Sequence, residues 1–308
     1  MLSSGPDLNK PSTPLLQAAA DAAGGQQYPK GALYVVATPI GNLADITLRA
    51  VHLLGLADVV ACEDTRVGGA LLRHLGLARE LMTVQAHNEA MAAGRVLQHL
   101  AAGERIAFVS DAGTPAVSDP GARLVAAVAA AGHPVVPIPG VSSAVTALSV
   151  AGDVQGTAFT FSGFLPAKGQ ERISALRERL AAPGAQVLFE APHRIELLAS
   201  ALAEAAPDRP VTLCRELTKQ FETVATMAAE ALPGWLRADP NRLRGEFVVV
   251  IHAAPRAADE ALDPGSERLL GLLLRELPLK QAVAITAEAN GAPRNALYAR
   301  ALALRDKT

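Results

Sequence analysis

The chain has 308 residues, half of them hydrophobic, and its 28 Lys+Arg against 30 Asp+Glu leave a net charge of -2. That is enough apolar content for one large core or two moderate ones. The charge balance excludes a whole-chain attraction to polyanions, so any nucleic-acid site must be a local patch. Cys62 and Cys214 supply neither a disulfide framework nor zinc-ligand spacing; no metal is expected, and the expected compartment is the cytoplasm.

Residues 1–30 are rich in Pro, Gly, Ala, Ser and Gln and read as a disordered extension. They lack a basic region followed by an apolar stretch, so no targeting segment is expected. From Gly31 onward apolar strands alternate with helices. Leu33 to Ala37 reads as a strand, followed by the turn-rich Thr38-Pro39-Ile40-Gly41-Asn42 and a helix over Leu48 to Leu54. Asp58 to Cys62 is a second strand, Val67 to Leu75 a helix and Leu81 to Val84 a short strand ahead of Ala86-His87-Asn88-Glu89. A further helix precedes the strand Ile106 to Val109, and Leu124 to Ala131 has helix character. Leu124 to Gly152 carries no Asp, Glu, Lys or Arg, but Pro134, Pro137 and Pro139 break it into helix, short strand, loop and helix, so no membrane span is expected.

This order predicts a mostly parallel sheet covered on both faces over residues 31–152, the first α/β domain. Gly152 to Gly156 reads as a linker, and a second α/β domain follows over 157–254. Its expected strands are Phe159 to Ser162, Val187 to Phe189, Val211 to Cys214 and Phe247 to His252. Ala253 to Gly265 is a second linker. Residues 266–308 hold two helical segments, with breaks near Pro278 and at Gly291-Ala292-Pro293.

The segment SDAGTPAVSDPG, Ser110 to Gly121, stands out as a twelve-residue polar join between a buried strand and a helix. Such joins are usually two to six residues long, and loops at the carboxyl ends of parallel strands are where open α/β sheets bind ligands. Polar clusters follow the other strands too: Thr38 to Asn42, Glu63-Asp64-Thr65-Arg66, His87-Asn88-Glu89 and Pro139-Gly140-Val141-Ser142-Ser143. Because parallel strands point one way, these clusters converge on one edge of the sheet. The second domain adds Glu190 to Arg194, Arg215 to Glu222 and Gly245-Glu246. Each cluster also has a structural reading as a tight turn, a helix cap or a solvated face. No GxGxxG, GxxxxGK[ST], HExxH or paired CxxC occurs.

The ordered set VATPIGNLADITLRA (36–50), CEDTR (62–66), SDAGTPAVSDPG, PIPGVSSAVTAL (137–148), SGFLPAKG (162–169), FEAPHR (189–194), RELTKQFE (215–222) and GEFVVV (245–250) resembles the 16S ribosomal RNA (cytidine-2'-O)-methyltransferase family. That family is of the tetrapyrrole-methylase type, class III among S-adenosylmethionine enzymes. The resemblance implies two α/β domains of that type with the cofactor in the interdomain cleft, a helix-turn-helix-like C-terminal tail and a homodimer. It places S-adenosylmethionine against Thr38, Pro39, Ile40, Gly41, Asp111, Gly113, Thr114, Val117, Ser142, Ser143 and Ala144. From the second domain it adds Glu190, Ala191, Thr218 and Gly245. Ser118 to Gly121 is left to cap the next helix. Where the wider superfamily has a Gly-x-Gly-x-Gly turn, this chain has Ala37-Thr38-Pro39-Ile40-Gly41, a departure that favours the ribosomal RNA branch.

The implied activity is 2'-O-ribose methylation of a cytidine in 16S rRNA of the small (30S) ribosomal subunit. Positioning donor and acceptor can be worth roughly 7 to 11 kcal/mol, more than a general base at about 10²- to 10⁴-fold. Candidates for catalysis are Asp64, His87, Glu190, Arg194, Lys219 and Glu246, with the base left open. Arg66, Arg194, Arg215 and Lys219 suit phosphate or ribose contacts. Lys168, Arg172, Arg177 and Arg179 form a basic loop and helix suited to the RNA backbone, diluted by Glu171 and Glu178. Residues 266–308, with Arg294 among them, carry seven Lys/Arg against four Asp/Glu, a local +3. Two alternatives stand beside this reading: a porphyrinoid methyltransferase of the same superfamily, and a non-catalytic RNA-binding ribosome-assembly factor.

Overall fold

A computed structural model describes residues 14–85, 88–254 and 262–305. These fall into two compact units, Met1–His252 and Ala253–Thr308. Among the described residues the first unit opens with helix α1 (Pro14–Ala23), which lies within the segment 1–30 expected to be disordered. Leu16, Ala19 and Ala23 lie at helical spacing and are buried, the first two within the core shared with α2 (Leu48–Leu56). An alanine-rich stretch announces such a face weakly, because each methyl adds little hydrophobic signal. Proline at the first helical position is compatible with the missing amide donor there.

Strands β1 (Leu33–Val36), β2 (Val59–Cys62), β3 (Glu80–Thr83), β4 (Ile106–Val109) and β5 (Val135–Ile138) form a sheet of order β3-β2-β4-β1-β5. Every pairing in it is parallel. Its central strands are continuous apolar runs because both faces are covered. One face packs on α1, α2 and α3 (Thr65–His74), the other on α4 (Glu89–Ala101) and α5 (Ala122–Ala130). Neighbouring β1 and β4 send their connections toward opposite edges, so the crevice beyond their carboxyl ends is a switch point of the topology.

The second sheet is built from β6 (Phe159–Phe164), β7 (Ala185–Glu190), β8 (Pro210–Arg215), β9 (Thr223–Ala228) and β10 (Phe247–Ile251), in the order β6-β7-β10-β8-β9. Only β6 and β7 run parallel; β10 is antiparallel to both neighbours and β8–β9 is a hairpin. The strand β9 was not anticipated. Its TVATMA sequence lies at the sheet edge and is only partly buried, so the apolar run that marks a central strand is missing. Helices α7 (Gly169–Ala181), α8 (Ile195–Ala205) and α9 (Leu232–Arg237) cover one face.

The other face is covered by α6 (Ser143–Ala151), the helix that follows β5 of the first sheet. Its Ala144, Ala147 and Ala151 pack against Val187, Cys214, Val248 and Val250. The small side chains let this helix, continuous in sequence with the first sheet, approach the strands of the second closely. The expected domain linker near Gly152 is therefore the carboxyl end of a helix already packed on the second sheet.

The unit Ala253–Thr308 shows three helices among its described residues, one more than expected: α10 (Pro264–Glu276), α11 (Leu279–Asn290) and α12 (Arg294–Arg305). The breaks fall at Pro278 and at Gly291, whose left-handed φ of 68° ends α11. Leu270, Ala282, Val283, Leu297 and Ala301 form its core. Asp263 caps α10, accepting from the amides of Gly265 and Ser266 at 2.9 and 3.0 Å, and Arg300 pairs with Glu267 at 2.7 Å. Among the described residues no helix is long and apolar enough to cross a membrane.

Candidate active site

The loops leaving β1 and β4 are bonded to each other. Thr38 and Gly113 exchange backbone hydrogen bonds of 2.9 and 3.0 Å, and the buried Thr38 hydroxyl donates to the Ser110 carbonyl at 3.2 Å. Gly113 adopts a φ of 79° within this crossing. Thr114 donates to the Val141 carbonyl at 3.0 Å, tying in the loop after β5. Three polar loops of the first sheet thus form one rigid rim.

Facing this rim across a cleft of about 400 Å³ are loops of the second sheet. Ile40, Ala112 and Ser143 line one side, and Phe164, Phe189 and Leu217 form an apolar wall on the other. Three carboxylates also line it: Asp119, Glu190 and Glu246. A smaller recess of about 70 Å³ shares Asp119, Ser143 and Phe189 and reaches Gly113, Thr114, Val117, Ser142 and Ala144. Most of the residues placed at the cofactor by resemblance are brought together in these two spaces. Thr38, Pro39 and Asp111 instead line a neighbouring pocket of about 210 Å³ behind the same loops, against α3.

The second-sheet rim is held in an unusual backbone conformation. Glu216, Thr218 and Gly245 have φ values of 52°, 65° and 92°. A Cβ on Gly245 would fall 2.5 Å from Glu216 Cγ, and one on Gly41 would fall 2.5 Å from Lys219 Cγ. Both glycines therefore permit close approach of the two loops. The Lys219 ammonium bridges Glu216 Oε1 and Glu246 Oε2, each at 3.0 Å. Burial works against that ammonium, but the two carboxylates outweigh it and hold its pKa above the ordinary lysine value. The Thr218 hydroxyl is buried and has no hydrogen-bond partner within the protein. Strain and an orphaned polar atom together are features of ligand-binding loops.

The candidates for chemistry separate by their partners. Glu190 is fully buried and paired with Arg172 at 2.5 Å and Arg194 at 2.8 Å, while its Oε1 also accepts from the Ala191 amide at 2.9 Å. Arg194 lies over the Phe164 ring. Arg172 and Arg194 are therefore both engaged by Glu190, with most of their surface buried. Arg215 donates to the Arg244 and Phe221 carbonyls. Lys168, Arg177 and Arg294 are exposed. Asp64 caps α3, accepting from the Arg66 amide at 2.8 Å and pairing with its guanidinium; these bonds pull its pKa down to about 2. His87 lies outside the described residues.

Two residues of the first domain exchange the roles expected of them. Ser118 to Gly121 was assigned to capping α5, yet no side chain from that segment caps the helix. Glu89, counted among the converging polar residues, does so instead: its Oε1 accepts from the amides of Gly121, Arg123 and Leu124 at 3.0, 2.9 and 3.1 Å. Asp119 is left to face the cleft. Burial raises its pKa, the Ser110 hydroxyl opposes that, and the charge of Asp111 adds to it. Glu63 is also pushed up, first by burial and then by Asp111, Asp119 and Asp64. The aromatic wall of Phe164 and Phe189 escaped the sequence reading as well. A strand-end aromatic cannot be told from core by its pattern.

Residues 32–233 match the family described as Tetrapyrrole (Corrin/Porphyrin) Methylases, and residues 260–305 match the RsmI C-terminal HTH domain. The chain is 44% identical over 292 residues to a protein of Neisseria meningitidis serogroup B named ribosomal RNA small subunit methyltransferase I, covering 95% of this chain and 98% of that one. A protein of the same name from Escherichia coli O157:H7 is 44% identical, with 89% and 95% covered. Among solved structures, a uroporphyrin-III-C-methyltransferase from Thermus thermophilus superposes with a TM-score of 0.50 at 26% identity, covering 72% of this chain and 94% of that one.

Proposed function

Because the chain belongs to the ribosomal RNA small subunit methyltransferase I family, we propose that it transfers the methyl group of S-adenosylmethionine to the 2'-oxygen of a cytidine ribose in 16S rRNA. It does so in the cytoplasm, on the 30S subunit, as a homodimer. The observation that favours RNA over a porphyrinoid acceptor is the C-terminal match at 260–305, within a separate helical unit whose residues 266–308 carry seven Lys/Arg against four Asp/Glu.

The cleft suits the donor. Its volume of about 400 Å³ lies within the range of small-molecule sites, which pair an apolar lining with a few placed polar groups. Phe164, Phe189 and Leu217 offer the adenine an apolar wall. The amino end of α6, where the Ser142 side chain makes no cap bond, offers amide donors to the carboxylate. The unpartnered Thr218 hydroxyl offers a hydrogen bond to a polar edge. When bound, S-adenosylmethionine supplies an electrophilic methyl group on a sulfonium. The chain's own part is to hold that methyl in line with the acceptor oxygen and to keep water away from it.

The test incubates the protein with labelled S-adenosylmethionine and either 30S subunits or naked 16S rRNA, and maps the product by resistance of the modified nucleotide to alkaline cleavage. Label at one cytidine is the expected result. Label transferred to uroporphyrinogen III and not to RNA would overturn the reading in favour of the porphyrinoid alternative. Light scattering on the purified chain tests the dimer.

A further inference from the structure

We propose that Asp119 is the general base of this transfer, accepting the proton of the ribose 2'-hydroxyl; the proposal rests on the cleft being a ribose methylation site. As the ribose oxygen forms its bond to the methyl carbon, the carbon–sulfur bond breaks and its electron pair goes to sulfur. The hydroxyl proton goes to the Asp119 carboxylate and from there to solvent.

Three carboxylates line the cleft, and their partners set them apart. Glu190 is fully buried between two guanidinium groups, so its charge is committed. Glu246 is bound to Lys219 and 80% exposed. Among the described residues Asp119 alone of the three makes no ion pair, and it is half-buried. The groups that face it are the Ser110 hydroxyl and the carboxylates of Asp111 and Glu63. A carboxylate beside other carboxylates and sheltered from water is a stronger base than one in solution. Asp111 is itself occupied, accepting from the Asp64 amide at 3.1 Å, and Asp64 is held by Arg66.

Asp119 is also placed with precision. It lines both the main cleft and the recess beside Ser142 and Ser143, at the junction of the two. Two residues later Gly121 is fixed by Glu89. Three residues earlier Ala116 is held at a φ of 63°, a conformation that L-residues seldom adopt. Strain of this kind persists where surrounding structure enforces it and clusters at reacting sites.

The test compares wild type with Asp119→Asn and Asp119→Glu, using 30S subunits. Calorimetry gives the affinity for S-adenosylhomocysteine, and saturating kinetics give kcat separately from KM. Asp119→Asn is expected to lower kcat by about 10²- to 10⁴-fold while the calorimetric affinity stays within about threefold, and Asp119→Glu recovers part of the rate. Because the base must be ionised, wild-type kcat falls as the pH drops through the raised carboxyl pKa, and this limb is lost in Asp119→Asn. A kcat for Asp119→Asn within threefold of wild type overturns the proposal. So does a large loss of S-adenosylhomocysteine affinity with unchanged kcat, which would make Asp119 a donor-binding group. The wild-type profile is informative even if a variant fails to fold: a rate that stays level below the ordinary aspartate pKa also overturns it. A wild type that labels no cytidine defeats the functional reading instead.

Discussion

Glu89 Oε1 accepts a hydrogen bond from the Gly121 amide at 3.0 Å, across 32 residues of chain. The same oxygen accepts from Arg123 and Leu124, so one carboxylate on α4 replaces the side-chain cap that α5 lacks. A charged acceptor at a helix amino end is favoured by both the free amides and the helix dipole. The loop between β4 and α5 is thereby anchored at its far end without drawing on its own polar residues.

The first prediction concerns this anchor. Glu89→Ala leaves three amides without their acceptor in a buried setting, and should cost about 2 to 4 kcal/mol of stability. Glu89→Gln keeps an acceptor without the charge and should cost about 1 kcal/mol. Urea unfolding of both variants measures the difference. Equal stabilities for Glu89→Ala and wild type would show that the helix finds another cap.

A second prediction uses the depressed pKa of Asp64. The Arg66 guanidinium and amide hold its pKa near 2, below the ordinary aspartate value of 3.8. The sign follows from the direction: a carboxylate more acidic when folded stabilises above the unfolded pKa, and that contribution is lost as pH falls from about 3.8 to about 2. The contribution is small because Arg66 is 90% exposed. Arg66→Gln should move the Asp64 titration upward, followed by carboxyl NMR. A titration that stays near 2 would assign the effect to the backbone amide instead.

What could be read from the sequence, and what could not, divides along physical lines. VVAC of β2 and IAFV of β4 are buried on both faces, so each is a continuous apolar run with a polar loop after it, and the convergence of those loops follows from parallel pairing alone. The antiparallel course of β10 carries no such mark, since an apolar strand reads the same in either direction. The cleft's apolar wall and the loops' mutual bonds depend on which side a residue faces. Asp119 is the clearest case. An aspartate just ahead of a helix reads as its cap, and only the presence of Glu89 on another helix releases it. Glu190 went the other way: FEAPHR looks reactive in sequence, yet its charges satisfy one another.

That self-satisfied group yields the third prediction. Removing one partner of a buried ion pair leaves an uncompensated charge and typically costs about 3 to 5 kcal/mol. Arg172→Ala should therefore lower the unfolding midpoint sharply, with Glu190 left to Arg194 alone. Lys168→Ala and Arg177→Ala, at exposed positions, should leave the midpoint unchanged. If each contacts a phosphate, each should reduce the slope of RNA affinity against salt by about 1. Thermal melting and salt-dependent binding together separate the two kinds of arginine on α7.

The fourth prediction concerns the helical unit Ala253–Thr308. Its core is made from its own residues, with Leu270, Ala282, Leu297 and Ala301 fully buried, while every residue lining the candidate cleft belongs to Met1–His252. Truncation after His252 should therefore leave S-adenosylhomocysteine affinity within about threefold, since it removes no cleft residue. It also removes eight Lys/Arg against seven Asp/Glu, the excess of cations lying in 266–308, where seven Lys/Arg face four Asp/Glu. Phosphate contacts dominate nucleic-acid affinity and weaken steeply with salt, so loss of this charge should weaken RNA binding about tenfold or more at low salt and less at high salt. Calorimetry with S-adenosylhomocysteine and salt-dependent binding to 30S subunits measure the two sides. Equal losses on both would make the unit a structural support of the cleft, and a salt-independent loss of RNA binding would mean that it docks through its apolar surface, not its charge.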